Sequence, residues 1–448
     1  MPKFDIVVVG TGAAASEVAY RCRSAGRSVA VVDSRPFGGT CANRGCDPKK
    51  VLVGAASAVD WARRMSAHGI AGECHIHWPE LMRFKRSFTD PVPPSRESGF
   101  AGAGIEAFHG VARFTGALTL DVNGTQLEAR NVVLACGAAP AKLNIGGEDA
   151  LITSDDFLNL ETLPESMAFI GGGYIAFEFA HLAARAGSRV TILHRGGRPL
   201  ERFDEDLVDA LVEHTRRVGI DVRLNSRVEA IERIAGGVSV RASGSAGALA
   251  IEASVAVHAA GRAPNIAALD LGVASVETGP RGVTVNEFLQ SVSNPNVYAA
   301  GDCAASGPPL TPVAGYEGRI VAANLLEGNH QSPDYLGCAG AVFTIPPLAA
   351  VGLTEREARE KGIDAEVRRE DSSGWYSSRR IAEPCSAYKT IVERGSRRIL
   401  GAHILGESAD ELINVFALAI RAGLTADQMK RPLYSYPSHG SNIQYMLA

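Results

Sequence analysis

Two cysteines five positions apart lie in the stretch Gly38-Gly39-Thr40-Cys41-Ala42-Asn43-Arg44-Gly45-Cys46-Asp47-Pro48-Lys49-Lys50. A thiol pair this close can cycle between dithiol and disulfide if the backbone lets the sulfurs meet. On an ideal helix five residues turn through ~500°, which leaves the two side chains roughly 140° apart. Bridging therefore needs a distorted first turn. A glycine-rich loop-to-helix junction with Pro48 soon after Cys46 permits one. The other reading of the spacing alone is two unrelated buried thiols.

The elements before the pair have the pattern of a dinucleotide-binding unit. Phe4 to Val9 is an apolar run suited to a buried strand, followed by Gly10-Thr11-Gly12-Ala13-Ala14-Ala15, a helical stretch to about Ala25, and a strand from Ser28 to Val32 that ends in Asp33. Gly10 allows a tight turn, Gly12 lets the backbone approach a pyrophosphate, alanine replaces the third glycine, and the helix N-terminus offers N–H donors. Ala14 is counted with these cofactor-binding positions. Asp33, 21 residues after Gly12, can accept a hydrogen bond from a ribose hydroxyl.

A second copy follows. It comprises Ala168 to Ile170, then Gly171-Gly172-Gly173-Tyr174-Ile175-Ala176-Phe177-Glu178, a helix to about Ala186, and a strand from Arg189 to Leu193. Two such units imply two dinucleotides. At the tip of the second copy an acid is replaced by His194-Arg195-Gly196-Gly197-Arg198, with Arg202 further on. Arginine pairs bidentately with the 2'-phosphate that a carboxylate would repel, so NADPH is favoured over NADH. The alternative is a solvated basic turn.

Between and after these copies come Ala112, the strand Asn131 to Leu134 closing in Ala135-Cys136-Gly137, the segment Gly261-Arg262-Ala263-Pro264-Asn265, and the strand Val297 to Ala300 closing in Gly301-Asp302. Asp302, at a strand's carboxyl end, is well placed to hold a ribityl or ribose hydroxyl. Ala112, Cys136, Gly137, Gly261, Arg262 and Thr311 join the candidate cofactor-binding residues. The expected fold is α/β, with two Rossmann-like dinucleotide-binding domains (1–140 with 263–335, and 141–262) and a C-terminal α+β domain (336–448) after turn-rich segments. That last domain reads as strand (Ala341 to Thr344), charged helix (Thr354 to Lys361), strands (Ala387 to Val392 and Arg398 to Leu405) and amphipathic helix (Ala409 to Ala422), a pattern suited to dimer formation.

Bulk properties agree with an ordinary globular protein of several domains. The chain has 448 residues, 48 of them glycine, and a formal net charge of -4. This charge gives no electrostatic case for nucleic acid or anionic membranes. A first strand beginning at Phe4 and the lack of an apolar run near ~20 residues predict a cytoplasmic protein without signal peptide or membrane span. Eight cysteines, at 22, 41, 46, 74, 136, 303, 338 and 385, are no secreted framework in a chain this long, and in a reducing compartment a disulfide is usually catalytic. Cys74-His75-Ile76-His77 has a metal-like look but fits a strand or loop better, and no metal is expected.

The ordered set of motifs resembles the class I pyridine nucleotide-disulfide oxidoreductases, the group of glutathione reductase, dihydrolipoyl dehydrogenase and mercuric reductase. It comprises the first glycine loop, Gly39-Thr40-Cys41 through Cys46, Pro48 and Lys50, the Gly171 to Glu178 segment, Gly261-Arg262 with Pro264-Asn265, and Gly301-Asp302. The likeness runs from Phe4 nearly to the end. It implies FAD in the first domain, NAD(P)H in the second, and a homodimer whose active site uses both subunits. It also implies a role in cell redox homeostasis. Gly39 and Thr40 belong with the FAD site. Cys46 is implied as the thiolate nearest the flavin and Cys41 as the thiol that attacks substrate. Lys49 is implied to pair with Glu178 near the flavin, and Tyr174 to cover the nicotinamide pocket.

The chain departs from this family at its C-terminus. Disulfide reductases of the group carry His-Pro-Thr-x-x-Glu, the histidine being the general acid. Here the segment is Tyr436-Pro437-Ser438-His439-Gly440-Ser441. Tyrosine, with a reference pKa of ~10 against ~6.5 for histidine, can donate a proton but is scarcely a base at neutral pH. Three explanations follow: His439 reaches the thiol from a rearranged loop, Tyr436 is the acid, or the acceptor needs no thiol protonation. Mercuric reductase resembles the chain in a nearby tyrosine, but its C-terminal vicinal cysteines are absent, so mercuric ion is not the expected substrate. Tyr20 stands where glutathione reductases place a substrate-binding arginine, and Arg319 matches a second only weakly. The reading is a flavoprotein reducing a small disulfide. The alternatives are a diaphorase reducing quinones or metal ions and a low-turnover flavin redox sensor.

Overall fold

A computed structural model describes residues 1–244 and 247–447. The chain forms two compact units, 1–49 with 83–141 and 262–335, and 50–82 with 142–261 and 336–448.

In the first unit β1 (Lys3–Val9) leads through a glycine turn into α1 (Ala13–Ser24) and β2 (Val29–Asp33). The short α2 (Gly39–Arg44) follows, and then α3 (Cys46–Arg64), within which the division between units falls. Later come β3 (Glu106–His109), β4 (Ala112–Phe114), β5 (Thr119–Val122) and β6 (Thr125–Leu134). β1 lies between β2 and β6, parallel to both, with Val9 level with Val32 and Leu134. The strand Val297–Ala299 adds to β6 in parallel, with Leu134 opposite Ala299. Near-continuous apolar runs such as Ile6 to Val9 reflect strands covered on both faces, and buried clusters fill each side of this sheet. This register gathers the carboxyl ends of β1, β2, β6 and Val297–Ala299 at one edge, where parallel sheets of this kind bind ligands.

The second unit holds a parallel sheet in the order Asp221–Arg223, Arg189–Leu193, Ser166–Ile170, Val255–His258, with helix Tyr174–Ala186 following the second glycine loop. A three-stranded antiparallel sheet, between Arg227 and Ala253, was not expected from sequence. The C-terminal part is an antiparallel five-stranded sheet, in the order Ala339–Val342, Leu348–Gly352, Ile399–Leu405, Ala387–Glu393, Ala365–Asp371, with helix Ala409–Arg421. The charged helix runs Glu355–Glu360, capped by reciprocal hydrogen bonds between Thr354 and Glu357. No helix of the described residues is long and apolar enough to cross a membrane.

Candidate active site

The first glycine loop forms a cradle without side chains. A Cβ on Gly10, whose φ is +117°, would meet the Ala135 carbonyl oxygen at 2.3 Å, and one on Gly39 would meet Gly12 Cα at 2.5 Å. Only glycine leaves both approaches open. Ala14 is buried in helix packing, where Gly318 lies so close that a Cβ there would meet the Ala14 carbonyl at 2.5 Å. Thr40 lies in the first turn of α2, Ala112 is buried at the start of β4, and Gly137 follows β6 with φ of +67°.

Two residues that sequence reading passed over fix this frame. Thr11, 1% exposed, donates its hydroxyl proton to Asp33 at 2.7 Å and accepts from the Gly38 N–H at 3.1 Å. One side chain thus ties the glycine loop, the acid at the end of β2 and the approach to α2. The second Asp33 oxygen accepts from the Arg35 N–H. Glu317, buried, accepts from the Gly301 N–H at 2.6 Å and from the Tyr335 hydroxyl at 2.6 Å, and so holds the turn bearing Asp302. Burial raises the Asp302 carboxyl above its ordinary value, opposed by the Arg262 guanidinium. Arg262 itself donates to the Ala138 carbonyl. The cradle, the oriented Asp33 and the half-buried Asp302 fit a flavin dinucleotide. The Thr11→Val variant, isosteric without the hydroxyl, is expected to bind FAD about 10-fold more weakly, measured by reconstituting the apoprotein; unchanged affinity would contradict the role of this clamp.

The cysteine pair has the required distortion. α2 ends at Arg44, and α3 starts at Cys46, with Gly45 between them at φ −143° and ψ −113°. A Cβ on Gly45 would meet the Thr40 carbonyl oxygen at 2.9 Å. Past the break Cys41 Sγ lies 3.8 Å from the Asp47 carboxylate and Cys46 Sγ 3.6 Å from the Thr311 hydroxyl, and each thiol is the largest influence on the other's ionisation. Donation from Cys41 lowers Cys46 to about 6, helped by the Thr311 hydroxyl, 3.6 Å away, and the Lys49 ammonium, against the opposing effect of burial. The same hydrogen bond raises Cys41, and burial adds to it. The pair is thus built as one thiol and one thiolate. Lys49 is itself buried.

In the second unit a Cβ on Gly171, with φ of +127°, would meet the Ala259 carbonyl oxygen at 2.2 Å. Gly173 caps the helix that starts at Tyr174, which is half exposed, and Ile175 follows it. Gly261, with φ of +112°, follows the strand Val255–His258. Glu178 is buried and accepts from the Phe343 N–H at 2.8 Å. The His194 ring lies so near Gly172 that a Cβ there would meet it at 2.5 Å. Of the arginines beyond it, Arg195 is exposed, whereas Arg198 is paired with Glu205 at 2.8 Å.

The two C-terminal candidates differ in disposition. Tyr436 is 77% exposed. The His439 ring has its Nε2 buried without a hydrogen-bond partner, and burial with the Arg380 charge lowers its pKa. Tyr20 stacks on Phe100, and Arg319 pairs with Glu17 at 3.1 Å. Cys385 is buried and its thiol is raised by burial, while Cys74 and His75 are exposed. Among the described residues no group of three or more His, Cys, Asp or Glu could hold a metal ion.

Fold and site together define a flavoprotein with a paired-thiol centre and a second dinucleotide site. Residues 4–318 match the pyridine nucleotide-disulphide oxidoreductase family and residues 338–447 its dimerisation domain, so the chain belongs to this family of FAD-dependent, pyridine nucleotide-linked, homodimeric enzymes acting on sulfur groups. It is 34% identical to a mercuric reductase of Streptomyces lividans, over 97% of this chain and 93% of that one. It is 32% identical to a glutathione reductase of Burkholderia cepacia, over 97% and 96%. The solved HOCl-induced flavoprotein disulfide reductase RclA from Escherichia coli superimposes with a TM-score of 0.88 at 28% identity, over 98% of each chain.

Proposed function

We propose that the enzyme carries reducing equivalents from NADPH to a small disulfide through Cys41 and Cys46, and that it works in the cytoplasm. The observation that carries this reading is the pair of thiols, shifted in opposite directions by each other, on either side of the Gly45 break. FAD bound at Gly10, Gly12, Asp33 and Asp302 supplies the two-electron relay between nicotinamide and sulfur. In the reduced pair Cys41 keeps the proton and Cys46 the negative charge, which Thr311 and Lys49 favour. As the Cys41 sulfur attacks the substrate disulfide its proton passes, by way of Tyr436, to the first substrate thiolate, so that a mixed disulfide forms and one substrate thiol leaves. The Cys46 thiolate then attacks Cys41 Sγ, re-forms the internal bond and expels the second thiolate. Each leaving thiolate takes up a proton, and Tyr436, exposed and carrying a hydroxyl proton, is the donor in place of the family's histidine. His439, with its ring nitrogen buried, is not.

Glutathione disulfide is disfavoured, since Tyr20 is occupied in stacking and Arg319 in an ion pair. Steady-state NADPH oxidation with lipoamide, glutathione disulfide, other small disulfides and a quinone tests the reading. Turnover with a disulfide other than glutathione's is expected, and turnover with the quinone alone would contradict it.

For the nicotinamide dinucleotide, Arg195 is the proposed contact of the 2'-phosphate, because Arg198 is already held by Glu205. In Arg195→Ala, kcat/KM for NADPH is expected to fall by about 10-fold or more, with NADH little changed. An equal fall with both would assign Arg195 no part in the choice.

A further inference from the structure

Arg198 lies on the turn after the strand Arg189–Leu193, and its backbone and side chain are held separately. The His194 Nε2–H donates to the Arg198 carbonyl at 2.9 Å, which fixes the backbone. The guanidinium goes to Glu205, with Nη1 2.8 Å from Oε1, and its Nε comes within 3.9 Å of Asp209. The same Glu205 oxygen also accepts from Arg356 Nη1 at 2.7 Å, while Arg356 nears Glu360 at 3.9 Å. Two guanidiniums thus share one carboxylate oxygen and repel each other, so that loss of either strengthens the other's hold. Glu205 itself is anchored. It opens the helix Glu205–Arg217 between Asp204 and Asp206, both of which are paired with the ammonium of the buried Lys389, Asp204 at 3.0 Å. Glu355, beside Arg356 on the helix Glu355–Glu360, is a third acid on that ammonium, at 2.8 Å. One buried cation therefore sets the spacing between Glu205 and Arg356. Of the three members of the shared contact, Arg198 alone belongs to the turn that follows the second glycine loop's strand.

We propose that Glu205 is a specificity-determining residue that withholds Arg198 from the 2'-phosphate of NADPH, and that Arg356 weakens this hold. The inference rests on the reading above that places this phosphate at the turn, with Arg195 as its standing contact. A phosphate competes with the shared carboxylate for Arg198, because it offers more charge and a matching pair of oxygens. When Arg198 turns to the phosphate, Glu205 stays with Arg356 and is not left unpaired. Without Arg356, Glu205 has Arg198 as its remaining arginine and keeps it more firmly. With Glu205 neutralised, Arg198 is released to the coenzyme. Glu205 and Arg356 act through Arg198 and not by touching the coenzyme, so substitutions at the two shift coenzyme choice in opposite directions.

The test is anaerobic flavin reduction in the full-length holoenzyme by NADPH and by NADH, followed by stopped flow, which needs no disulfide or other acceptor. Its readout is the ratio of the two second-order rate constants. Glu205→Gln is expected to raise this NADPH-to-NADH ratio by about 3-fold and Arg356→Gln to lower it by about as much, the scale of a partly exposed ion pair. Reduction by NADH should change little in either. Both substitutions fall on partly exposed side chains and leave Lys389 with its three acids. The same two substitutions in an Arg198→Ala background should leave the ratio where that background sets it. A shift that persists there comes from the altered charge alone and would overturn the proposal, as would an unchanged ratio in Glu205→Gln. If Arg195→Ala lowers the ratio while Glu205→Gln leaves it unchanged, this inference fails and the coenzyme reading stands. If Arg195→Ala and Glu205→Gln both leave it unchanged, the phosphate does not lie at this turn and both fail.

Discussion

In Cys41→Ser, turnover with every disulfide falls by at least about 10³-fold, because the attacking sulfur is lost and no other group can form the mixed disulfide. NADPH oxidation with a quinone continues, since that route needs only the bound flavin. The alanine variant Cys41→Ala, which has no donor in place of the thiol, also frees Cys46 from its neighbour's hydrogen bond. Cys46 keeps the Thr311 hydroxyl and the Lys49 charge, so its thiolate persists but at a higher pKa. Reaction of the reduced variant with iodoacetamide, followed against pH, reads this directly, with the midpoint of Cys46 alkylation moving up from about 6. Disulfide turnover that survives in Cys41→Ser would remove the pair from the mechanism.

Tyr436→Phe is expected to lower disulfide turnover by on the order of 10²-fold, the lower end of what an acid/base partner supplies. Quinone turnover should not change. Both readouts are needed, because Tyr436 is exposed and its loss could otherwise be read as damage to the C-terminal segment. The effect should also depend on the substrate, being largest for thiols that leave poorly and small for those that leave as stable thiolates. If His439→Ala rather than Tyr436→Phe produces this pattern, the assignment of the acid is reversed.

Much of the catalytic frame was legible because it rests on residues with few alternatives. Gly10, Gly39 and Gly171 have positive φ and backbone atoms where a Cβ would stand, and such positions announce themselves by residue type. The need for a break between Cys41 and Cys46 followed from helix geometry, and the junction has its break at Gly45. What stayed hidden depends on partners far away in sequence. Thr11 looks like a variable loop position until Asp33 and Gly38 are seen on either side of it. Glu317 reads as one more helical acid, but it is buried and tied to Gly301 and Tyr335. The strand Ala365–Asp371 was missed because it is a charged edge strand, Ala-Glu-Val-Arg-Arg-Glu-Asp, in which apolar alternation is weak. At the second dinucleotide loop, both Arg195 and Arg198 were candidates, and only the pairing of Arg198 with Glu205 separates them.

The central claim is that the flavin shares its electrons with the Cys41 and Cys46 pair, and anaerobic titration with NADPH or dithionite tests it most directly. Wild type should take up about two electrons per subunit more than Cys41→Ser, because one disulfide accepts two. Taking the difference cancels any other reducible bond in the chain. Equal uptake by the two proteins would show that the pair does not exchange electrons with the flavin and would leave the enzyme a diaphorase.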